Sequence, residues 1–304
     1  MTTFTGTIPL SVEEFSADLF FQRFAAQRWE MVYPRILKTE TTNKAFIEGW
    51  EVSGLGTFAL KAEGTPIGYD DPVQGNRRRI IMQTFALGIR MTMEMIEDDR
   101  WDIAAKLPAD LADSARDHMD RLAHGPLNDA FTGTTFLGLD GLALCSAAHT
   151  TLKAGAVRTN TLTPGVDLSH AGLEAILTQA RTTTDDSGRF LSFRPTTLVI
   201  HPNNLNEATR ILESEYEPYT AENQVNTMTA SRTGMSVVDT PHLNDADDWF
   251  VIDRGKHDVR FVTRKSVTPQ SGTDMDTLDV KTTSHYRAGA GFFKWEGFYG
   301  SNAP

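Results

Sequence analysis

Cysteine is almost absent from this 304-residue chain. Cys145 is the only one, so no disulfide can form within the chain, and a reducing, cytosol-like environment is expected. Long apolar runs are missing too, since none approaches the roughly 20 residues that span a bilayer. The first fifteen residues lack the basic and apolar regions of a signal peptide. These absences predict a protein that is made and kept in a cytosol-like compartment.

Basic residues are also in short supply. Lysine and arginine number 29 against 40 aspartates and glutamates, which gives a formal net charge of -11 at pH 7. Proteins that bind nucleic acid without sequence preference draw most of their affinity from cationic side chains that neutralise phosphates. The composition therefore argues against such binding as the main role, although an acidic protein can still enclose nucleic acid.

Motifs for common cofactors are missing as well. The chain has no GxxxxGK[ST] loop for nucleotide phosphates, and the glycines at 288–297 do not follow the strand-to-helix junction of a dinucleotide fold. We find no set of residues that predicts an active site. The sequence therefore predicts no enzyme activity and no cofactor.

One long helical pattern, at residues 90–131, organises a chain that is long enough for two lobes. Pro108 disfavours the helical conformation at the residue before it, so we predict a helix at 92–106, a joint, and a second helix at 108–124 with a bent extension to 131. Only a narrow apolar face is expected to be buried, comprising Leu111, Ala115, Met119 and Leu122. The rest of the helix is expected to be exposed, including Asp113, Arg116, Asp117, Asp120 and Arg121.

The segment at 12–29 has a short amphipathic pattern that carries Phe15, Phe20 and Phe24. So much aromatic surface must be covered. Two arrangements remain open: a first helix docked on its own domain, or an arm buried against another subunit.

A period of two runs through residues 52–87 and predicts a β-hairpin. Phe58 and Leu60 fall in its first strand, and Ile81 and Phe85 fall in its second. The sequence between the strands is rich in glycine, proline and aspartate and predicts a wide turn. A two-stranded hairpin is only marginally stable in water, so support from another lobe or another molecule is expected.

Three consecutive arginines, Arg77, Arg78 and Arg79, begin the returning strand. Guanidinium groups pair with carboxylates and with phosphates. In a chain this acidic we favour pairing with another subunit over nucleic acid. A solvated run of charge remains an alternative.

The region at 166–255 alternates strands and helices and predicts a compact α/β lobe, to which residues 288–304 are expected to add a closing strand. Ser169 is a candidate N-cap for its first helix. The predicted elements are helices at 169–181 and 203–212 and strands at 197–200, 235–239 and 249–253. Beyond this lobe, residues 259–264 and 278–287 predict a second long hairpin, with a turn at 266–274, laid beside the long helix.

Cys145 and His149, with Asp140 nearby, have the residue types of a nucleophile and its base. Their spacing in a loop does not fix their geometry, so a structural cysteine is favoured. His201 is the other residue on which a hydrolase built on the 166–255 lobe could depend.

Acidic and histidine clusters also suggest a metal. They comprise Asp98, Asp99 and Asp102 in one group and His118 with Asp117 and His124 in another. Neither group has a second set of ligands that converges with it, so solvated helix faces are favoured and no metal is predicted.

Several short motifs, in this order, resemble the major head subunit of Mu-like tailed bacteriophages. The resemblance extends from about residue 15 to residue 304 and rests on the order of the motifs. The motifs are Ile96-Glu97-Asp98-Asp99, Leu107-Pro108, Asp140-Gly141, Leu144-Cys145-Ser146 with His149, LVIHPNNLNEATRIL at 198–212 and HYRAGAGFFKWEGFYG at 285–300.

The resemblance implies the Hong Kong 97-like capsid fold, of the α+β class. It implies an N-terminal arm at 1–51 and an extended hairpin loop at 52–84 that lies over a neighbouring subunit. A peripheral domain would comprise 85–165 and 256–287, with its spine helix at 108–131. An axial α/β domain would comprise 166–255 and 288–304.

The implied function is structural, namely self-assembly into hexamers and pentamers of an icosahedral head around phage double-stranded DNA. The implied partners are a portal protein, a separate scaffold protein and a possible decoration protein, in a virion made in the host bacterial cytoplasm. A prophage-derived compartment that holds protein cargo is the alternative. The candidate intersubunit contacts are Phe15, Phe20, Phe24, Tyr69, Asp70, Asp71, Arg77, Arg78, Arg79, Pro269 and Gln270.

Overall fold

Two four-stranded β-sheets carry the fold of the chain. The computed structural model describes residues 12–26, 30–98, 103–153, 155–216, 225–229 and 233–303. In those ranges, every helix is too short or too polar to cross a membrane.

The first sheet contains the predicted second hairpin. Its strands are β1 (Lys38–Thr41), β4 (Gln83–Met91), β10 (Arg260–Thr273) and β11 (Val280–Gly291). Their order across the sheet is β1-β10-β11-β4, with β1 parallel to β10 and the other neighbours antiparallel. β1 was not predicted, because its sequence KTET has no apolar alternation and all four residues are exposed.

The predicted turn at 266–274 is wrong. β10 continues to Thr273, and the chain turns at 274–279 instead, with Pro269 paired opposite Ser284 and Gln270 opposite Thr283. β1 covers only the first four residues of β10, so the outer part of β10 is an edge strand, where a proline is tolerated. The proline and glycine of this stretch therefore did not mark a turn.

The long helix α4 (Ile103–Asn128) lies against the first sheet and is continuous through Pro108. The predicted joint at 107–108 is therefore wrong, and the preceding helix α3 is only the short Met93–Glu97. Pro108 is the sixth residue of α4, where its missing N–H removes one hydrogen bond near the helix start. Packing of the predicted apolar face compensates, since Leu111 and Met119 belong to the core.

The expectation that the rest of α4 is exposed holds for Arg121 and in part for Asp117, but it is wrong for the other three residues. Asp113, Arg116 and Asp120 are buried, and so is His124 one turn further on. Buried polar groups need partners. Asp120 accepts hydrogen bonds from the backbone N–H groups of Val32 and Tyr33 at 3.1 and 3.0 Å. The helix is therefore covered on these sides by elements that its polar side chains bind, while Asp110, Ser114 and Arg121 form an exposed face.

Helix α1 (Val12–Ala26) packs on α4, which corrects one candidate intersubunit contact. Arg23 pairs with Asp113 at 3.0 Å, and Phe20 is fully buried and stacked on Phe24. Phe20 has no surface left for another subunit, and Phe24 is partly buried against Arg116. The open alternative of a first helix docked on its own domain is the arrangement found. The side chain of Phe15 lies outside the described residues.

Helix α2 (Tyr33–Ile36) follows α1, and its backbone leads into the first sheet through Leu37. The ring of Tyr33 lies 4.6 Å from that of Phe261 in β10. Burial raises the pKa of Tyr33, and the nearby Asp120 adds to the effect. The short helix therefore joins α4 to the sheet.

The second sheet confirms the predicted α/β lobe and its closing strand. Its strands are β7 (Thr197–Ile200), β8 (Ser236–Asp239), β9 (Trp249–Ile252) and β12 (Phe298–Ser301), in the order β12-β9-β7-β8. Three of them are buried at every residue, because both faces of the sheet are covered. Leu198, Trp249 and Tyr299 face one core, while Val199 and Phe250 face the core that contains α4.

Two helices cover the first of these faces. Helix α5 (His170–Thr182) begins at Ser169, whose hydroxyl accepts a hydrogen bond from the N–H of Gly172 at 3.2 Å, as the N-cap prediction requires. Helix α6 (Leu205–Glu213) follows a short 3₁₀ turn, Pro202–Asn204. The side chain of Asn204 does not cap this helix; the ring of His201 instead caps the 3₁₀ turn by accepting from the N–H of Asn203.

The loop after α4 is organised by one carboxylate. Asp129 accepts hydrogen bonds from the hydroxyls of Thr132 and Thr134 and from the N–H groups of Thr134, Thr135 and Phe136, at 2.6–2.9 Å. Burial alone would raise the pKa of Asp129, but these donors outweigh it and hold the pKa well below its usual range. The loop conformation therefore depends on an ionised Asp129.

Asn160 fixes the next part of the same region, which contains the short strands β5 (His149–Thr150) and β6 (Val157–Arg158). Its amide donates to the carbonyls of Leu144 and Phe298 at 2.7 and 2.8 Å, and its carbonyl accepts from the N–H of Ser146 at 2.9 Å. One buried side chain thus binds the glycine-rich loop to the closing strand.

The connection from β9 to β10 contains a buried histidine, His257. It is fully buried, and neither ring nitrogen has a hydrogen-bond partner among the residues described. Burial, with the charge of Lys38, lowers its pKa to about 4. The ring is therefore neutral at neutral pH, at the point where the second lobe passes into the first sheet.

We expect Asp129→Asn to lower the free energy of unfolding by about 2 kcal/mol at pH 7, because an amide cannot replace a carboxylate among five donors. The contribution of Asp129 is present above its unfolded pKa and is lost as pH falls through the lower folded value. Urea denaturation followed by circular dichroism measures the effect. Asp117→Asn is the control, since Asp117 pairs with the exposed Arg121 on the helix surface and should contribute less than about 1 kcal/mol. Equal losses in both variants would contradict the assigned role.

We expect the stability of the protein to fall as the pH decreases from about 6.5 to about 4, in part because unfolded His257 binds a proton that the folded state excludes. His257→Leu removes this proton uptake and two buried ring nitrogens, so it should flatten the pH dependence by up to about 3 kcal/mol. Unfolding free energies measured at pH 7 and pH 4.5 test this. His285→Leu, at a partly exposed site on β11, is the control. An unchanged slope in His257→Leu would refute the assignment.

Candidate interaction surface

A two-stranded ribbon stands beside the first sheet. It consists of β2 (Phe46–Val52) and β3 (Gln74–Ile81), paired antiparallel with Phe46 opposite Ile81 and Trp50 opposite Arg77. A hairpin is present in this region, as predicted, but the predicted bounds of both strands are wrong. The first strand ends at residue 52, and β4, which contains Phe85, belongs to the first sheet. Phe58 and Leu60 lie in the connecting loop and not in a strand.

One face of the ribbon packs on the body of the protein. Ile47 and Ile80 contact a small core that contains Leu139, Val262 and Phe293. Gly49 lies directly against the ring of Phe293, where any side chain at position 49 would overlap the ring. This close approach fixes how the ribbon lies on the body.

The other face of the ribbon is exposed and combines aromatic and cationic groups. The guanidinium of Arg77 lies 5.4 Å from the ring centroid of Trp50, and that of Arg79 lies 4.5 Å from the ring centroid of Phe46. Arg79 also pairs with Glu48 across the strands. The rings keep their guanidinium partners while remaining available for contact.

Strand alternation separates the three consecutive arginines. Arg77 and Arg79 lie on the exposed face, whereas Arg78 is partly buried and its guanidinium approaches Gly141 on the body. The sequence alone could not predict which arginines face the body and which face outward, because this depends on how β3 pairs with β2.

The loop at 53–73, which joins β2 to β3, exposes an unusual amount of apolar surface. Its ends are held together, since the N–H of Ser53 donates to the carbonyl of Val73 at 2.9 Å. Gly64, with a φ of +80°, lies in a tight turn closed by a hydrogen bond from Thr65 to Ala62. The exposed large apolar residues of the loop are Leu55, Phe58, Leu60, Ile67, Tyr69 and Val73.

Among the predicted contacts in this loop, Asp70 already has partners in its own chain. Its carboxylate accepts from Lys153 Nζ at 2.7 Å and from the N–H of Gly56 at 2.6 Å, which lowers its pKa. Tyr69 and Asp71 are exposed. In β10, Gln270 is exposed but Pro269 is buried, so Pro269 cannot provide a contact surface in this conformation.

A partly buried charge cluster, missed by sequence reasoning, lies on the body beside the end of the ribbon. Arg158 pairs with Asp186 at 3.0 Å, contacts Glu296 at 3.5 Å and lies 5.1 Å from the ring centroid of Trp295. Glu51 of β2 lines the same cavity of about 20 Å³. Burial, with the nearby carboxylates, raises the pKa of Glu51. The participants are far apart in sequence, so no local pattern could reveal them.

The suspected nucleophile pair is not assembled. The ring of His149 is fully buried and stacks on Trp295 at 4.4 Å, while its Nδ1 binds Asp140 and its Nε2 lies 3.2 Å from Asn160 Oδ1. Both ring nitrogens are therefore occupied without Cys145. Burial raises the pKa of the Cys145 thiol well above its usual range. A buried protonated thiol is a poor nucleophile.

The suspected metal ligands do not converge either. His118 binds the hydroxyl of Tyr286, and His124 donates to the carbonyl of Asp120 at 2.7 Å and lies 3.1 Å from the hydroxyl of Thr240. In the part of the chain that the structure covers, no three histidine, cysteine or acidic residues are placed to hold a metal ion. Asp99 and Asp102 lie outside that part.

Comparison with known proteins points in one direction. A family model described as "Phage capsid protein" matches residues 77–301, which is most of the chain. No curated protein sequence matches it.

Solved structures with this fold come from viral and virus-like particles. The capsid of cyanophage P-SCSP1u is 14% identical, with a TM-score of 0.59, and the match covers all of this chain and 93% of that one. The capsid of bacteriophage JBD30, decorated with minor capsid protein trimers, is 15% identical, with a TM-score of 0.58 over 71% of this chain and 92% of that one. A virus-like particle from Pyrococcus furiosus is 10% identical, with a TM-score of 0.54 over 96% and 100%. The expected Hong Kong 97-like fold is confirmed.

The burial of Cys145 predicts that a thiol reagent such as iodoacetamide does not modify the native protein, whereas it modifies one cysteine per chain in urea. Mass spectrometry of the intact chain reads both states. A Ser146→Cys variant, one residue along the same loop and partly exposed, is the reactive control. Rapid modification of native Cys145 would revive the nucleophile hypothesis.

Proposed function

Since the chain belongs to the phage capsid protein family, we propose that it is the major head subunit of a Mu-like tailed bacteriophage. In this proposal, copies of the chain form the hexamers and pentamers of an icosahedral head that encloses double-stranded DNA. Membership of this family makes the chain a structural protein of a capsid and not an enzyme. The observation that carries the detailed proposal is the loop at 53–73, which leaves six large apolar side chains exposed among the residues that the structure describes.

The domain roles follow from this assignment. Residues 1–51 would be the N-terminal arm and 52–84 the extended loop that lies over a neighbouring subunit. Residues 85–165 with 256–287 would be the peripheral domain, and 166–255 with 288–304 the axial domain. α4 lying along the β10–β11 hairpin supports the peripheral assignment, since a long helix along a long hairpin suits a thin plate.

Contacts between subunits are proposed at exposed positions of the loop, the ribbon and the long hairpin. The exposed members of the predicted set are Tyr69, Asp70, Asp71, Arg77, Arg79 and Gln270. Large aromatic and arginine side chains are enriched at the centres of protein interfaces, which supports the ribbon face in particular.

In this proposal the shell encloses the DNA without binding it tightly. The net charge of -11 disfavours close contact with phosphates. An acidic interior limits adhesion of the packaged molecule to the wall, and this supports containment over sequence-independent binding.

In this proposal, further partners are a portal protein, a separate scaffold protein and, on a decorated head, a decoration protein, in a virion assembled in the host bacterial cytoplasm. For decoration, support comes from the JBD30 capsid, which is described as decorated with minor capsid protein trimers.

The second candidate is a shell protein of a prophage-derived compartment that holds protein cargo. The similarity to a virus-like particle from Pyrococcus furiosus favours keeping it, because a fold does not specify what a shell encloses. Nuclease-resistant DNA recovered from purified particles would support the phage head, whereas particles filled with a single protein would support the compartment. A hydrolase is not favoured, because His149 and Cys145 are both buried. The ring nitrogens of His149 contact Asp140 and Asn160 instead of Cys145.

We predict that replacing residues 54–72 by Asn-Gly leaves a folded subunit that does not form normal shells. The hydrogen bond between Ser53 and Val73 places the two ends at the spacing of a two-residue hairpin turn, so the ribbon can close without the loop. Electron microscopy measures shells, and circular dichroism with thermal unfolding of the unassembled subunit measures folding.

The matched control is Glu63→Asn, which creates the same Asn-Gly pair at the loop turn but keeps the loop. It should assemble like the unsubstituted chain. Normal shells from the loop replacement would contradict the role of the loop, and absence of shells from the unsubstituted chain would contradict the proposed function.

A further inference from the structure

Glu51 lies at an irregular point of the ribbon. The pairing of β2 with β3 shifts between Trp50 and Val52, which makes a β-bulge at Glu51. A bulge changes the direction of the side chain that it carries. A Cβ added at Gly75 would lie 2.7 Å from Oε2 of Glu51 and 2.9 Å from the side chain of Leu152. The carboxyl group therefore fits between the ribbon and the body only because residue 75 is a glycine.

One oxygen of this carboxyl group is buried without a partner. The backbone N–H of Asn76 donates to the carboxyl group, but Oε2 has no hydrogen bond to any residue described. A buried ionised oxygen without a donor is costly. A protonated carboxyl group is neutral and can itself donate a hydrogen bond. The site therefore suits the protonated form of Glu51.

Three further carboxylates surround Glu51 from different parts of the body. They belong to Asp140 in the loop after α4, to Asp186 in the turn at 184–190 of the second lobe, and to Glu296 before β12. All of them line the cavity of about 20 Å³ that Glu51 lines. Ionised Glu51 would thus be the fourth negative charge at one small cavity.

The positive charge at the cavity already has partners. Arg158 of β6 lies 3.0 and 3.5 Å from two of these carboxylates, and the ring of His149 in β5 binds the third. Lys294 also lines the cavity, but it is exposed to solvent. Burial first, and then the three carboxylates, raise the pKa of Glu51. Its ionisation is therefore opposed by every part of the body that faces it.

Glu51 is close to the base of the loop that joins β2 to β3. Gly54, three residues further on, lies against the turn that carries Asp186, since an added Cβ would be 3.1 Å from Ser187 Oγ. The carboxyl group and the base of the loop thus meet the same turn of the second lobe. A movement of Glu51 would also change how the base of the loop is held.

We propose that Glu51 is a proton-dependent latch for the end of the ribbon. With its proton, the carboxyl group stays in the cavity, can share the proton with a neighbouring carboxylate, and holds the end of the ribbon on the body. Loss of the proton places a fourth negative charge at the cavity and releases that end. Docking is therefore favoured at low pH and weakens as the pH rises through the raised pKa of Glu51. The latch works within one subunit and is independent of whether subunits form a shell.

Hydrogen–deuterium exchange of the unassembled full-length subunit tests the latch, with mass spectrometry as the readout at about pH 5.5 and about pH 8. Exchange rates are divided by the intrinsic rate at each pH, and variants are compared at the same pH. In the unsubstituted chain, the corrected exchange of β2 and β3 should be at least about threefold faster at the higher pH, while β9 in the second sheet should not follow this change.

Two variants should abolish this pH dependence in opposite ways. Glu51→Gln keeps the shape of the side chain without the charge, so the end of the ribbon should stay protected at both pH values. Gly75→Ala places a methyl group against Oε2 and displaces the carboxyl group, so the end of the ribbon should exchange fast at both.

Glu48→Gln is the matched control. It removes a carboxylate from the outward face of the same strand, where Glu48 pairs with Arg79. Its pH dependence should equal that of the unsubstituted chain. Loss of the pH dependence in this control would overturn the latch, because any charge on the ribbon would then have the same effect.

The other outcomes are also distinct. A pH dependence in Glu51→Gln equal to that of the unsubstituted chain would overturn the latch. If Glu51→Gln does not fold, Gly75→Ala decides, since an unchanged pH dependence in that variant would overturn the latch as well. Absence of shells from the unsubstituted chain would contradict the proposed function and leave the exchange result as it stands.

Discussion

Charge buried along one helix determines how this subunit is put together. Much of α4 is covered by other elements, so a polar group on its covered faces is costly unless it has a partner inside the protein. Asp113 binds Arg23 of α1, Asp120 binds the backbone N–H groups at the start of α2, and His124 contacts Thr240 after β8. Each pairing fixes a different segment on α4. A buried polar residue without a hydrogen-bond partner would destabilise the fold. The polar residues of α4 therefore specify where α1, α2 and the second sheet dock.

Elements whose cause is local could be predicted from the sequence. α5 was predicted with its Ser169 cap, β7 from a short apolar run, and the closing strand β12 from the aromatic residues around it. The extent of α4 and β10 could not be predicted, because Pro108 and Pro269 are breakers in isolation and are tolerated here for reasons of position in a helix and in a sheet. Strand β1 has no apolar pattern and exists through its pairing with β10.

The candidate interaction surface shows the same division. The alternation of Phe58 and Leu60 predicts a strand, but these residues lie in a loop and pair with no strand in the described part of the chain. Burial of Asp113, Arg116 and Asp120 was missed because a charged residue gives the same periodic signal on an exposed face and on a face covered by another charged element. An active site can be recognised in a sequence by a cluster of reactive residue types, but a surface that joins copies of a protein has no such cluster. It is recognised instead by exposed apolar side chains in the folded structure.

The order of the strands in sequence has a consequence for synthesis. The second sheet needs β12, whose residues 298–301 pair with β9, and the first sheet needs β10 and β11 at 260–291. The first sheet is therefore complete only after the ribosome has passed residue 291, and the second only after residue 301. Until then, a nascent chain lacks the finished sheets of the folded subunit. Translation itself thus delays the moment at which one copy can recognise another.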